Sequence, residues 1–141
     1  MIEYSCERPV TQEQLQQLYT SVGWTVYLTC QTPVLTLLKQ SRHYYMAWDG
    51  NQLVGLVRVV GDGGFVAYIQ DVLVHPTYQR QGIGSQLMQL IFKEVAYARQ
   101  IILTTDEQEA TVAFYQSLGM QTYKELGVVG FLMLANNEPT A

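Results

Sequence analysis

A glycine-bearing turn carries the strongest chemical signal in this chain of 141 residues. Between a strand-like run and an amphipathic helix, Gln79–Ser85 reads Gln-Arg-Gln-Gly-Ile-Gly-Ser. A helix that begins there leaves its first backbone N–H groups without acceptors and directs the positive end of its dipole at the turn. Gly82 and Gly84 have no side chain that would keep a phosphate away from these amides, while Ser85 adds a hydroxyl and Arg80 a cation. The segment therefore predicts a pyrophosphate site.

Gly-x-Gly alone is equally consistent with a sharp turn that binds nothing, so the surrounding residues must decide. A P-loop requires a lysine after its glycines, whereas Gly84 is followed by Ser85 and Gln86. A dinucleotide-binding fingerprint requires a third glycine, and this chain has Leu87 there. It also expects an acidic residue about 20 residues further on, and Ile101–Thr105 contains none. Neither nucleotide motif fits.

Two motifs instead resemble the GNAT superfamily of N-acetyltransferases. Gln79–Gly84 matches every fixed position of the superfamily's pyrophosphate-binding signature, Gln/Arg-x-x-Gly-x-Gly/Ala. Ala113–Met120 is similar to its later A-x-F-Y-x-x-x-G-F motif, with Met120 in place of the usual phenylalanine. Val72–Tyr78 looks like the superfamily's fourth strand and its exit. The resemblance extends along nearly the whole chain in element order, although residues 1–40 match only in pattern.

The resemblance implies acetyl-CoA as co-substrate, without a metal. Backbone amides of the glycine turn would hold the pyrophosphate, and main-chain groups of the fourth strand would pair with the pantetheine arm where the fourth and fifth strands splay apart. The residues that the resemblance assigns to acetyl-CoA binding are Val72, Leu73, Val74, Gln79, Arg80, Gln81, Gly82, Ile83, Gly84, Ser85, Phe114 and Tyr115.

Two side chains are expected to be catalytic, Tyr115 and Asp71. By resemblance, the Tyr115 hydroxyl lies near the thioester sulfur, where a phenol can protonate the departing thiolate. A backbone N–H of Val72 or Leu73 would bind the carbonyl oxygen as it gains charge. Asp71 lies two residues before Leu73 and is a candidate general base. A role in orienting the neighbouring backbone is equally consistent with its position.

The expected acceptor is a primary amine of a small molecule or peptide. In the superfamily, the acceptor side is walled by the segment between the first two helices and the loop between the last two strands, here Gly23–Gln31 and Leu126–Val129. The alternative is a domain that binds CoA as a sensor or structural element without turnover. Because the fold commonly pairs through its last strands, a homodimer is a further expectation.

The elements that must position these residues are read from hydrophobic periodicity and cap signals. The order β-αα-βββ-α-β-α-ββ predicts an α/β fold, with a mixed, mostly antiparallel sheet of six to seven strands flanked by about four helices. Thr11 with Gln14, and Asp106 with Glu109, form capping-box patterns, and the helix after Gly82 is expected to reach about Arg99. The expected strands are Ile2–Cys6, His43–Trp48, Gln52–Val60, Phe65–Val74, Ile101–Thr104, Gln121–Glu125 and Val128–Leu134. The compact apolar run Ile101–Thr104 is typical of a central strand.

Composition predicts one domain over residues 1–141, with 136–141 as a frayed tail. A net charge of −4 without a basic cluster argues against nucleic acid. No apolar run approaches the roughly 18 residues of a membrane span, and the N-terminus does not resemble a secretory signal. Cys6 and Cys30 are too few for a disulfide scaffold, and no nearby histidine supports a cysteine nucleophile. We therefore expect a cytoplasmic protein that transfers the acetyl group directly.

Overall fold

The computed structural model describes residues 1–135, and the predicted tail at 136–141 lies outside them. Five strands and four helices occur within the described range. In chain order they are β1 (Ile2–Ser5), α1 (Gln12–Ser21), α2 (Val34–Lys39), β2 (His43–Asp49), β3 (Gln52–Gly61), β4 (Val66–Val74), α3 (Ile83–Glu94), β5 (Gln100–Ile102) and α4 (Glu109–Ser117). Short 3-10 turns lie at Thr25–Thr29, Pro76–Tyr78 and Lys124–Leu126.

The contacts divide the described chain into two compact units, residues 1–103 and residues 104–135. The first unit contains all five of these strands and the helices α1, α2 and α3, while α4 belongs to the second. A single domain stays a prediction.

The sheet confirms the predicted fold class. Its strands follow the order β1-β2-β3-β4-β5. The first three neighbouring pairs are antiparallel, and β4 pairs with β5 in parallel. A parallel connection needs a crossover, and α3 supplies it between β4 and β5. The result is a mixed, mostly antiparallel α/β sheet.

The last two predicted strands, Gln121–Glu125 and Val128–Leu134, are wrong for the described residues. The 3-10 turn at Lys124–Leu126 replaces the first, and its Glu125 carboxylate accepts hydrogen bonds from the backbone N–H and hydroxyl of Thr122, each at 3.1 Å. Apolar and β-branched residues form a strand only where another strand pairs with them, and residues 1–135 supply no such pairing here. For the same reason β5, predicted to be central, is an edge strand in this range.

The two predicted capping boxes differ in whether their side chains bond to the backbone N–H groups at the start of the helix. The first capping box is confirmed, because Thr11 Oγ1 accepts from Gln14 N at 3.1 Å and Gln14 Oε1 accepts from Thr11 N at 2.9 Å. The second is wrong. Asp106, three residues before the helix begins, accepts through Oδ1 from Gln108 N at 3.0 Å, and Gln108 becomes an N-cap without a side-chain bond. α3 also ends at Glu94 instead of Arg99.

The two faces of the sheet bury separate groups of apolar side chains. On one face, α1 and α2 pack on the sheet through a cluster formed by Leu15, Leu18, Tyr19, Val34, Leu38, Met46, Trp48, Leu53, Leu56 and Leu73. On the other face, α3 approaches β3 closely at Gly55. A Cβ added at Gly55 would lie 3.1 Å from both Ile83 Cγ2 and Leu87 Cδ1. Gly55 therefore sets how close the start of α3 lies to the sheet.

Candidate active site

The turn before α3 contains two residues in the left-handed region of the Ramachandran plot. Gly82 is the N-cap of α3 with φ 82°, and Arg80 has φ 65°. An arginine there is uncommon and costs roughly 1 kcal/mol or more. Residues that alternate between right- and left-handed conformations turn successive N–H groups towards one side and form a concavity for an anion. This backbone geometry therefore fits the predicted pyrophosphate turn.

Six consecutive backbone N–H groups in this turn, those of residues 80–85, have no acceptor within residues 1–135. The first helical bond runs from Gln86 N to Gly82 O at 3.0 Å, so the N–H groups of Ile83, Gly84 and Ser85 precede it. Gly82 offers no side-chain cap, and no acidic residue occupies the first turn of α3. Apart from the two residues that flank Gly82 in the chain, no described residue has an atom within 4 Å of a Cβ built on Gly82. The turn thus presents unsatisfied donors at a positive helix end, with space beside them.

Side-chain contacts anchor the approach to this turn. The Tyr78 hydroxyl donates to Asp49 Oδ2 at 2.5 Å, which ties the 3-10 turn at Pro76–Tyr78 to the end of β2. The Gln79 side chain points back along the chain, where its Nε2 donates to Val74 O at 3.3 Å. Gln79 is one of the predicted pyrophosphate residues, but its side chain bonds to the last residue of β4.

β4 has one edge that is open along most of its length. The parallel pairing with β5 covers only Val66–Tyr68. β3 pairs with the other edge from Ala67 to Val74. Within the described chain, β5 does not pair with Ile69–Val74, the stretch that contains the predicted pantetheine residues. An unpaired strand edge offers alternating N–H and C=O groups to an extended ligand.

A β-bulge interrupts β4 at Gln70. Arg58 of β3 pairs with Asp71, but its neighbour Val59 pairs with Ile69, so Gln70 is the extra residue. Because neighbouring pairs face opposite sides of a sheet, the bulge directs Ile69 to one face and Asp71 to the other. Without the bulge both side chains would share a face.

Asp71 is the centre of a buried polar cluster. Its side chain is 1% exposed and accepts three hydrogen bonds: from Tyr19 Oη at 2.8 Å, Tyr27 Oη at 2.6 Å and Arg58 Nε at 2.7 Å. These donors belong to α1, the turn Thr25–Thr29 and β3. A carboxylate with this many donors fits the orienting role better than the role of a general base. The role of Asp71 as the general base stays a prediction.

Burial and the contacts with Asp71 shift the pKa values of the surrounding groups. Burial alone lowers the pKa of Arg58, but the adjacent Asp71 carboxylate more than offsets this and raises it. Burial, followed by Asp71, raises the pKa of Tyr27 to about 12 and also raises the pKa of Tyr19. At neutral pH both hydroxyls therefore remain donors beside one buried ion pair.

Arg58 and Tyr19 are site residues that sequence reasoning missed. Arg58 interrupts the otherwise uncharged run Leu53–Val60 on a strand. A charged side chain in such a run is expected to pair with an opposite charge, which is the signal that would have identified it. Tyr19 gave no comparable signal, because its spacing on α1 is that of an ordinary core residue.

The second unit contains Tyr115 and Phe114. Both lie on α4, and their rings meet edge to face with centroids 5.0 Å apart. Burial, followed by the charge of Asp106, raises the pKa of Tyr115 to about 12. α4 ends at Ser117, and Gly119, two residues further on, has a φ of 96° that is readily adopted only by glycine. Tyr115 is thus a half-buried phenol that is neutral at physiological pH.

Residues 1–135 contain few features of other kinds of site. No group of three or more His, Cys, Asp or Glu side chains there could hold a metal ion. Both cysteines are exposed free thiols. None of the helices in this part of the chain has the length and hydropathy to cross a membrane.

Comparison with known proteins decides the family. Residues 6–120 match the family described as "Acetyltransferase (GNAT) family". The chain belongs to the GNAT family of acetyltransferases. A GNAT family acetyltransferase from Streptococcus pneumoniae TIGR4 has a solved structure that is similar to this chain, with a TM-score of 0.84 and 36% sequence identity. The match covers 97% of this chain and 100% of that one.

Curated relatives of this GNAT protein include longer proteins. The uncharacterized N-acetyltransferase ycf52 of Gracilaria tenuistipitata var. liui is 31% identical over 119 residues, which are 80% of this chain and 63% of the relative. Its counterpart in Porphyra purpurea is 29% identical over 114 residues, 75% of this chain and 62% of the relative. The chain therefore spans less than two thirds of the length of these relatives.

Proposed function

We propose that this GNAT protein is an N-acetyltransferase that uses acetyl-CoA and moves the acetyl group directly to a primary amine of a small molecule or peptide. The observation that carries the proposal is the set of six backbone N–H groups, residues 80–85, without acceptors in the described chain. They follow a strand whose edge is open at Ile69–Val74. Family membership supports acetyl transfer in general. The thioester donor and the amine acceptor are our proposal.

In this mechanism the chain's main role is to position the thioester. The N–H groups of residues 80–85 bind the pyrophosphate oxygens, helped by the dipole of α3. Main-chain groups of Val72–Val74 pair with the amides of the pantetheine arm, which then lies along β4 as an added strand. A backbone N–H of Val72 or Leu73 binds the carbonyl oxygen of the acetyl group as negative charge develops on it.

Tyr115 acts on the leaving sulfur. A phenol with a pKa of about 12 stays protonated throughout the physiological range and can donate a hydrogen bond to the sulfur. It is also a weaker acid than an ordinary thiol, whose pKa is about 8.5. Its contribution is therefore to stabilise, through a hydrogen bond, the charge that develops on sulfur, and the thiolate that leaves takes its proton from water.

Asp71 takes the orienting role. Its carboxylate accepts from Tyr19, Tyr27 and Arg58 and has little capacity left for an amine proton. It holds the stretch of β4 beside the bulge, whose backbone contacts the thioester in this mechanism. The acceptor ammonium then loses its proton to water before it attacks the carbonyl carbon.

The proposal is tested first by calorimetric titration with acetyl-CoA, with Gly84→Asp as the variant. Gly84 lies in the first turn of α3, where aspartate is a better helix residue than glycine and complements the dipole. The variant should fold at least as stably as the wild type and lose binding, because its carboxylate repels the pyrophosphate. Gln89→Asp, which adds the same charge at an exposed position further along α3, is the matched control and should still bind. No binding by the wild type refutes the proposal.

Catalysis and mere binding are separated by Tyr115→Phe. We expect this variant to bind acetyl-CoA like the wild type and to lose about 10²-fold or more in turnover on a panel of primary amines. If the wild type binds acetyl-CoA but acetylates no amine on the panel, the alternative of a CoA-binding sensor or structural domain is favoured.

We propose a cytoplasmic location, with neither nucleic acid nor a membrane as partner. The net charge of −4 supports this, because phosphate-rich partners favour a basic surface. A relative in Arabidopsis thaliana is named "GCN5-related N-acetyltransferase 2, chloroplastic". The chloroplast is therefore the competing location, and the localisation of a tagged chain would distinguish the two.

A further inference from the structure

Gln70, the extra residue of the β4 bulge, is an exposed member of the polar cluster around Asp71. Its neighbours in the strand, Ile69 and Asp71, are only 2% and 1% exposed. The Gln70 side chain nevertheless bonds to the cluster, because its Nε2 donates to Tyr27 Oη at 3.2 Å. Gln70 therefore connects a buried hydrogen-bond network with the stretch of β4 whose edge β5 leaves open.

The order of donors and acceptors in this network fixes the orientation of the Gln70 amide. The Asp71 carboxylate can only accept, so the Tyr27 hydroxyl donates its single proton to Asp71 Oδ1 at 2.6 Å. The Tyr27 oxygen can then only accept, as it does from Gln70 Nε2 and, at 3.4 Å, from Arg58 Nη2. A reversed amide would place Gln70 Oε1 against an oxygen that has no proton left to donate. The amide nitrogen of Gln70 is therefore the atom that faces Tyr27.

The carbonyl oxygen of Gln70 is the acceptor that this network leaves open. Within residues 1–135, the side chain of Gln70 makes one hydrogen bond, the one that its nitrogen donates to Tyr27. The buried Asp71 carboxylate already accepts three hydrogen bonds. The turn Thr25–Thr29 adds no anion, because the sequence from Gln14 to Leu38 contains no charged residue. An N–H donor that approaches the bulge thus meets a neutral oxygen.

We propose that Gln70 binds the acceptor through Oε1, which accepts an N–H of the attacking amine, and that Tyr27 is the positioning residue that orients this oxygen. The contact rests on the proposed function, in which Val72 or Leu73 binds the acetyl oxygen. Gln70 precedes Val72 by two residues, roughly 7 Å along a strand. A neutral oxygen also favours the ammonium form less than a carboxylate would, so the bound amine can lose its proton to water before it attacks.

The contact with the amine is tested by steady-state kinetics of Gln70→Leu. The acceptor is whichever of hexylamine, benzylamine and glycinamide the wild type acetylates fastest. We expect Gln70→Leu to raise the KM for this amine about three- to tenfold, the value of one neutral hydrogen bond. The kcat should change less, because the bond is present before and during attack.

The matched control is Gln100→Leu, the same change at an exposed position where β5 pairs with the far end of β4. It should match the wild type, and both variants should keep the wild-type Kd for acetyl-CoA by calorimetry. An unchanged KM in Gln70→Leu, or an equal rise in the control, overturns the contact while wild-type turnover leaves the proposed function in place. A wild type that binds acetyl-CoA and acetylates none of the three amines refutes both.

The positioning role of Tyr27 is tested by a double-mutant cycle. If Tyr27 acts through Gln70, Tyr27→Phe should raise the KM for the amine by no more than Gln70→Leu does. The double variant should then have the KM of Gln70→Leu alone, since no amide is left to orient. A rise in the double variant equal to the product of the two single rises would show that Tyr27 acts by another route.

The orientation of the Gln70 amide has a readout that needs no turnover. With glutamine side chains isotopically labelled for NMR, the pair of amide-proton signals that disappears in Gln70→Leu belongs to Gln70. Tyr27→Phe should shift this pair and speed its exchange with water, because the amide nitrogen loses its partner. Unchanged Gln70 signals in Tyr27→Phe would overturn the positioning role, whatever the kinetics show.

Discussion

At the scale of the residue, the structure of the first unit depends on one buried ion pair. Arg58 is 6% exposed and Asp71 is 1% exposed, and neither charge has an alternative partner of opposite sign among the contacts described. Such a pair adds little net stability compared with apolar residues, yet it is costly to break because the remaining charge stays buried. Its position beside the bulge makes it a device for holding β4 in place.

Asp71→Asn should therefore lower the free energy of unfolding by about 3 kcal/mol, because it leaves the Arg58 guanidinium without an anion. The double variant with Arg58→Met should be less destabilised than Asp71→Asn alone, since it contains no uncompensated charge. Urea unfolding measures both, with Glu3→Gln as a control that removes an exposed carboxylate from β1. An Asp71→Asn variant as stable as this control would contradict the account.

Because the pKa values of Tyr19 and Tyr27 are raised in the folded protein, we expect the protein to lose stability at high pH. The pKa of Tyr27 is raised from 10.0 to about 12 in the folded protein, and the pKa of Tyr19 is raised as well. A raised folded-state pKa contributes stability that is complete below pH 10 and is lost as the pH rises towards 12, because the unfolded chain releases the proton first. Urea unfolding between pH 10 and pH 12 should show a shallower loss for Tyr27→Phe than for the wild type. If the free energy of unfolding falls equally steeply with pH in both proteins, the pKa of Tyr27 is not raised by folding.

At the scale of the element, the position of α3 determines where the unsatisfied N–H groups lie. Gly55 permits the close approach of α3, because any Cβ there would meet Ile83, Leu87 and Ala47 at 3.1 to 3.2 Å. Since Ile83 is also the first residue of α3, the packing at Gly55 fixes the helix end that carries the proposed pyrophosphate donors.

Gly55→Ala should cost about 2 kcal/mol, because overpacking forces α3 or its side chains to move. Thermal or urea unfolding measures this cost. Gly64→Ala is the matched control, since it adds the same methyl group at an exposed position where the nearest atom, Asp62 Oδ1, lies 3.9 Å away. Gly64→Ala should be close to the wild type. Equal stabilities of the two variants would show that the contact at Gly55 is relaxed at no cost.

At the scale of the whole molecule, ligand binding and folding are linked. A ligand that binds only the folded chain raises the free energy of unfolding as its concentration rises above Kd. At a hundred times Kd, acetyl-CoA should raise it by about 2.7 kcal/mol in the wild type. Gly84→Asp should show no such rise, while Gln89→Asp should match the wild type. Urea unfolding with and without acetyl-CoA measures this, and an equal rise in Gly84→Asp would place the bound ligand elsewhere.

The sequence by itself determined the elements whose causes are local. The Thr11 cap and the start of α3 directly after Gly82 depend on neighbouring residues, and each was predicted from them. The glycine turn also identified the family, because its chemistry is encoded in a few contiguous positions.

Only the tertiary structure decided the features that depend on pairing between distant residues. The bulge at Gln70, and with it the face that Asp71 occupies, follows from the register with β3. The partners of Asp71 come from positions 13 to 52 residues away in the chain. The last two predicted strands were wrong for the same physical reason, because a strand needs a neighbouring strand and none pairs with these segments within residues 1–135. Composition and periodicity record what a residue prefers, and long-range pairing decides whether that preference is met.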